Sequence, residues 1–366
     1  MDLISWLNQN GARISPKVCV KDIPGAGKGV VCVNRIERGE VIAYISRGQL
    51  LNDETIRKEG RLPPQDEQNM LSGTLLLSWY VYKYHDSEKW KCFFETLPTL
   101  EELEGVPLAW SQDRRQELPA SLQKVVQDQE AKFLEQESTV RRLEAKEDPS
   151  AEFDGDRFKW AWLCVNTRCI YMNVRGNATL VPFVDFLNHS PDTSVKVKID
   201  YRGLTLTSTV SYDEGEEVYL CYGPHDNSTL LTEYGFTLTG NIWDTVDISR
   251  HIDLSPRQRE WLDELGYGGD NFTVNLQGPS FRTVMALAAT LESSNGIQIP
   301  RTLQTLSMEG EESLYPGLSW KLKEVLERAL DELDYESNEQ SANELIQGWR
   351  YILTQAIKRE DENNSI

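Results

Sequence analysis

The residues of this chain whose types and spacing suit chemistry lie between 181 and 236. Asp185, Asn188 and His189 follow one another in the run V-P-F-V-D-F-L-N-H-S, framed by apolar neighbours. Tyr222 closes a strand-like pattern shortly before Tyr234 and Phe236. Asp185 and His189 stand at i and i+4, so with Asn188 they could ligate a metal if they shared one helical face. Against that reading, the chain holds only 4 histidines, and a two-metal hydrolase draws on denser histidine and carboxylate motifs. The other alternative is that Asn188 and His189 satisfy buried backbone groups at a turn. No G-x-S-x-G element supplies a serine nucleophile. Nothing around Cys164, Cys169 or Cys221 marks an activated thiol.

The bulk composition narrows the partners. A formal net charge of -20 over 366 residues repels phosphates, which argues against direct nucleic-acid binding. The same charge attracts basic proteins, or serves solubility alone. A hydrophobic fraction of 39% is that of a folded chain. The 6 cysteines form no C-x-x-C pair, so a zinc cluster is not expected and reduced thiols in a cytoplasmic or nuclear compartment are. No secretory signal or membrane-spanning run is read, and the sequons at Asn177, Asn227 and Asn271 are taken as incidental. The oligomeric state is not legible.

The elements that must position these residues alternate in type. Residues 17–46 read as short strands and turns, with Val30–Val33 a buried-strand run and Val41–Ile45 another. The turn Gly25-Ala26-Gly27-Lys28-Gly29 precedes a strand, not a helix, which rules against a dinucleotide fingerprint. Residues 50–160 are helical, with a buried helix around Leu75–Tyr82 and an apolar stripe along 116–146. Strand patterns are expected again over 161–240, and helices from Gly240 to a frayed tail at 361–366. The pattern is α+β, with a β part split in sequence and united in space.

Four elements in order resemble the SET domain, in the branch of the Rubisco large-subunit methyltransferase. They are the glycine turn at 25–29, Thr167-Arg168-Cys169-Ile170, Asp185-x-x-Asn188-His189, and Tyr222-Gly223 followed by Tyr234-Gly235-Phe236. Thr167 departs from the usual serine of the second element. The resemblance implies a SET β-fold with a pseudoknot, a helical insertion and an all-α C-terminal domain. It divides the chain into 1–55 and 161–240 as the two parts of the SET domain, 56–160 as the insertion, and 241–366 as a substrate-binding domain. It also implies S-adenosyl-methionine as cofactor and no metal. Ala26, Gly27 and Lys28 would meet the cofactor through main chain, Arg168 would hold its carboxylate, and Asn188 its amino group. The His189 main chain would hold the adenine and Phe236 would cover it. Tyr222 would be catalytic and would also touch the cofactor. Arg168, Ile170, Asp185 and Tyr234 would line the channel for the substrate lysine, with carbonyls near Arg168 and Asp185 holding the methyl group.

The function so implied is protein-lysine N-methylation of a non-histone, basic protein such as a ribosomal protein or an elongation factor. The alternatives are a catalytically inactive SET-fold binding module, a histidine N-methyltransferase and the metal-dependent hydrolase. Ile170 stands where a histidine-modifying relative has a polar residue, which favours lysine.

Overall fold

The computed structural model describes residues 2–63, 71, 73–150, 152–172, 177–192, 194–293, 298–310 and 315–363. These form two compact units. The first comprises Met1–Trp110, Val126–Pro224 and Glu233–Gly235; the second comprises Ser111–Val125, His225–Thr232 and Phe236–Ile366.

The first unit holds three antiparallel sheets. Strands β1 (Arg13–Ile14), β2 (Val18–Ile23), β3 (Gly27–Cys32) and β4 (Val41–Ser46) come from the N-terminal stretch. Strands β5 (Ile170–Met172), β6 (Asn177–Thr179), β7 (Val195–Asp200), β8 (Gly203–Ser208) and β9 (Glu217–Val218) come from beyond the helical stretch. Their orders are β1-β4-β8-β7, β2-β3-β9 and β5-β6. Both larger sheets therefore join strands from the two halves, as the split α+β reading expects. The alternation of Val195, Val197 and Ile199 with lysines becomes a hairpin, with Asp200 opposite Gly203.

The helix Thr74–Tyr84 is buried all along Leu75–Tyr82, which explains its unbroken apolar run. Its polar tips still find partners: the Trp79 indole N–H donates to Glu144 at 2.9 Å, and the Tyr80 hydroxyl donates to Glu59. One expectation is corrected here. Residues 161–168, read as the start of a strand region, complete the helix Gly155–Arg168. The run Trp160–Val165 is equally apolar as a buried strand or a buried helix, and periodicity over so short a stretch does not separate them. The start is decided by Asp154, whose side chain caps the helix by accepting the Arg157 N–H at 3.0 Å. This helix ends on Arg168 and so delivers a guanidinium to the end of a rigid rod.

The strand-like pattern that Tyr222 closes is also shorter in the structure than its sequence suggests. The ladder stops at Val218, and the chain beyond it bridges His189 through Leu220 in parallel.

The second unit is built of the helices Pro256–Glu264, Phe281–Leu291, Arg301–Glu309, Leu318–Glu332 and Gln340–Asn363. A small antiparallel sheet accompanies them, β10 (Val246–Asp247), β11 (Thr273–Asn275) and β12 (Gly278–Pro279). Strands of two or three residues leave no period-2 signal, so helices alone were legible. The helix runs to Asn363, past the expected fraying point at 361; residues 364–366 lie outside the described residues.

Asp154→Ala removes the cap of the helix that carries Arg168 and should lower stability by about 1 kcal/mol. A denaturant titration checks this, and an unchanged midpoint would contradict the capping role.

Candidate active site

The site begins with a strained turn. Phe183, fully buried, adopts φ 75° and ψ -42°, a conformation that bulky side chains avoid. It opens the 3-10 turn Val184–Phe186 and so aims Asp185 at Arg168. The Arg168 Nη1–H donates to the Asp185 carbonyl at 2.7 Å and lies 3.4 Å from its carboxylate Oδ2. The Asp185 side chain is 1% exposed and that of Arg168 23%. Two polar atoms of this pair are buried without a partner among the described residues: Arg168 Nε and Asp185 Oδ1. A buried N–H donor on a guanidinium suits a carboxylate ligand. Of the carbonyls near Arg168 and Asp185 expected to face a methyl group, that of Asp185 is gripped by Arg168.

Asn188 and His189 follow directly, and their side chains diverge. The Asn188 Nδ2–H donates to Glu217 Oε1 at 2.7 Å. His189 Nδ1 accepts the Tyr222 main-chain N–H at 3.0 Å, a role it fills only when that nitrogen carries no proton. With Asp185 on Arg168, the three candidate metal ligands thus serve three different partners. Among the described residues no group of three or more His, Cys, Asp or Glu is placed to hold a metal ion.

Tyr222 sits at the centre. Its hydroxyl donates to the Leu187 carbonyl at 2.8 Å. Its ring lies 5.0 Å from the His189 ring and 5.1 Å from the Tyr234 ring. Burial pushes the Tyr222 phenol far above the ordinary tyrosine value, so it works as a neutral group. Burial likewise raises Tyr234 and Cys169, each to about 12, with the Glu233 carboxylate adding to both. Ile170, half-buried, opens β5 two residues after Arg168 and packs against the core.

Tyr234 is held by a close backbone crossing. A Cβ on Gly235 would come within 2.7 Å of the Gly105 carbonyl carbon and of the Val106 nitrogen, so only glycine fits. Of the expected glycine turn at 25–29, only Gly25 and Ala26 lie at the tip of the β2–β3 hairpin; Gly27–Gly29 already belong to β3, with Ile23 opposite Gly27. A Cβ on Gly27 would meet nothing within 4 Å, so the tip borders open space. The Lys28 ammonium stands 5.9 Å from the centre of the Phe186 ring, tying the hairpin to the Asp185 turn. Ala26 is exposed. Phe236 belongs to the second unit, half-buried, its N–H donating to the Leu230 carbonyl at 3.4 Å.

The structure brings Arg168 to Asp185, and His189 and Tyr234 to Tyr222. Sequence reasoning missed Glu217, the Leu187 carbonyl and the strain at Phe183. Only Glu217 left a signal, a carboxylate inside a strand pattern just before apolar Val218.

Within this geometry, the model of the SET domain family matches residues 27–223. The chain belongs to the SET-domain family. It is 30% identical over 298 residues to the ribosomal lysine N-methyltransferase set11 of Schizosaccharomyces pombe, covering 79% of this chain and 74% of that one. It is 28% identical over 323 residues to SET domain-containing protein 4 of Homo sapiens, covering 78% and 71%. Among solved structures, Rubisco LSMT bound to AdoMet matches with a TM-score of 0.73 at 19% identity, over 99% of this chain and 91% of that one. The fold is shared with that enzyme.

Burial raises the Asp185 carboxyl from its ordinary 3.8 to about 6, and the nearby Arg168 charge offsets this only in part. The folded state therefore holds this proton more tightly than the unfolded chain does. The stabilisation is complete below pH 3.8 and is lost as pH rises through about 6. Asp185→Asn should accordingly flatten the fall in melting temperature between pH 5 and pH 7.5. Parallel melting curves for parent and variant would show that Asp185 does not titrate there.

Proposed function

We propose that this chain is a protein-lysine N-methyltransferase that takes S-adenosyl-methionine and acts on a non-histone, basic protein. The observation that carries this reading is the Tyr222 hydroxyl, neutral and committed to the Leu187 carbonyl, in the same unit as the unpartnered Arg168 Nε. The residues present fit the cofactor. Arg168 Nε would take its carboxylate and Asn188 its amino group. The main chain of Ala26, Lys28 and His189 would take the remaining polar contacts, beside the open space at Gly27. When bound, S-adenosyl-methionine supplies a methyl carbon already activated by a positive sulfonium.

The chain's task is then to deliver a neutral amine in line. Free lysine has a pKa of about 10.4, so the channel must disfavour the ammonium. Half-buried aromatic walls at Tyr222 and Tyr234, with apolar Ile170 and the Arg168 charge, act in that direction. Asp185 acts against it, and its pairing with Arg168 mutes its charge. The Tyr222 hydroxyl, its proton spent on Leu187, keeps oxygen lone pairs with which to accept an N–H from the amine and so orient it. Ile170 offers an imidazole no hydrogen bond, which supports lysine over histidine.

Relatives named as ribosomal lysine methyltransferases support a ribosomal protein as substrate, and the charge of -20 supports a basic one. Such substrates place the protein in the cytoplasm or nucleus, and the acidic surface gives nucleic acid no direct role. Among the described residues no helix is long and apolar enough to cross a membrane. We assign residues 241–366 to substrate binding and residues 56–160 to the insertion within the SET domain.

Tyr222→Phe should bind S-adenosyl-methionine as the parent does and lose turnover by roughly 10²-fold or more. Radiolabelled methyl transfer to a lysate lacking this protein, paired with calorimetric titration of the cofactor, reads both. Full turnover in the variant would remove Tyr222 from its role. A parent that binds the cofactor and transfers nothing would make the chain a binding module.

A further inference from the structure

The proposed function leaves unexplained a carboxylate set against the amide meant for the cofactor. Glu217 lies on β9, opposite Val31 of β3. Gly29 is two residues before Val31, so it shares a sheet face with Glu217 as its diagonal neighbour. A Cβ at Gly29 would come within 2.6 Å of Glu217 Oε1 and 3.1 Å of Asn188 Nδ2. Gly29 is buried and its backbone does not need glycine; the space above it does. Through that space the Glu217 carboxylate crosses β3 and takes the Asn188 Nδ2–H at 2.7 Å.

This contact has a directional consequence. An amide has one donating end and one accepting end, and its orientation is settled by what it faces. A carboxylate only accepts, so Nδ2 must point at Glu217 and Oδ1 away from it. Among the described residues Asn188 Oδ1 takes no hydrogen bond, so an acceptor is left for a cationic donor.

We propose that Glu217 is a positioning residue: it locks the Asn188 amide so that Oδ1 is presented to the α-ammonium of the cofactor, and Gly29 is the opening through which it reaches. This role rests on the proposed use of S-adenosyl-methionine. The lock also places a negative charge behind the amide, which strengthens Oδ1 as an acceptor. It gives the glycine-rich hairpin a second purpose, separate from close approach of the ligand to Gly27.

The test compares two ligands by calorimetry: S-adenosyl-homocysteine, and its analogue in which hydrogen replaces the α-amino group. Glu217→Ala should weaken the first about tenfold and leave the second unchanged. In transfer assays it should raise KM for S-adenosyl-methionine and leave kcat within about threefold at saturation. Glu217→Gln keeps the shape and an accepting oxygen but loses the charge. It should weaken S-adenosyl-homocysteine about threefold, again sparing the analogue, and it serves if the alanine variant fails to fold. Unchanged affinity for S-adenosyl-homocysteine in the variants, or equal weakening of both ligands, would overturn the lock while leaving the proposed function standing. A parent protein that binds neither ligand would overturn both.

Discussion

Two hydrogen bonds across one short parallel contact hold the site together. The Leu220 N–H donates to the Asn188 carbonyl at 2.9 Å, and the Ser190 N–H donates to the Leu220 carbonyl at 3.2 Å. A third bond, from the Tyr222 N–H to the His189 ring, extends the clasp on the C-terminal side. Parallel pairing of segments so close in sequence needs a long connection between them, and β7 and β8 supply it as a hairpin. Without this clasp Asn188 and Tyr222 would belong to separate parts of the chain.

Removal from water sets the chemistry around the clasp. Burial is the leading cause of the raised values at Asp185, Tyr222 and Tyr234. The same desolvation that keeps a phenol protonated disfavours a lysine ammonium. A tyrosine that stays neutral cannot act as a general base, so the contribution proposed for it is direction and hydrogen bonding. This fits a displacement in which the leaving group is already activated and the protein's share is alignment. The strain at Phe183 fixes Asp185 against Arg168, and the backbone crossing at Gly235 fixes Tyr234 beside Tyr222.

Much of the site was legible because its residue types are unusual where they stand. Asp185, Asn188 and His189 break an apolar run, and a buried run does not carry three polar side chains without a use for them. The two-part β fold followed from strand patterns on both sides of a helical stretch, and the alternation of Val195, Val197 and Ile199 with lysines falls on β7. The helix Gly155–Arg168 was not, because the six residues from Trp160 to Val165 are apolar on every face and carry no period. Glu217 escaped for a different reason. Its meaning depends on Asn188, 29 residues away, and on a missing Cβ at Gly29, and no local pattern joins the three. The small sheet of the second unit was hidden by strands too short to alternate.

On the proposed function, these scattered segments form one site that takes S-adenosyl-methionine at one end and a lysine at the other. The most direct measurement is a crystal structure of the chain with S-adenosyl-homocysteine. Ligand density is expected against the Gly27 hairpin, with its carboxylate on Arg168 Nε and its amino group on Asn188 Oδ1. Density bound elsewhere, with those two atoms left facing water, would contradict it.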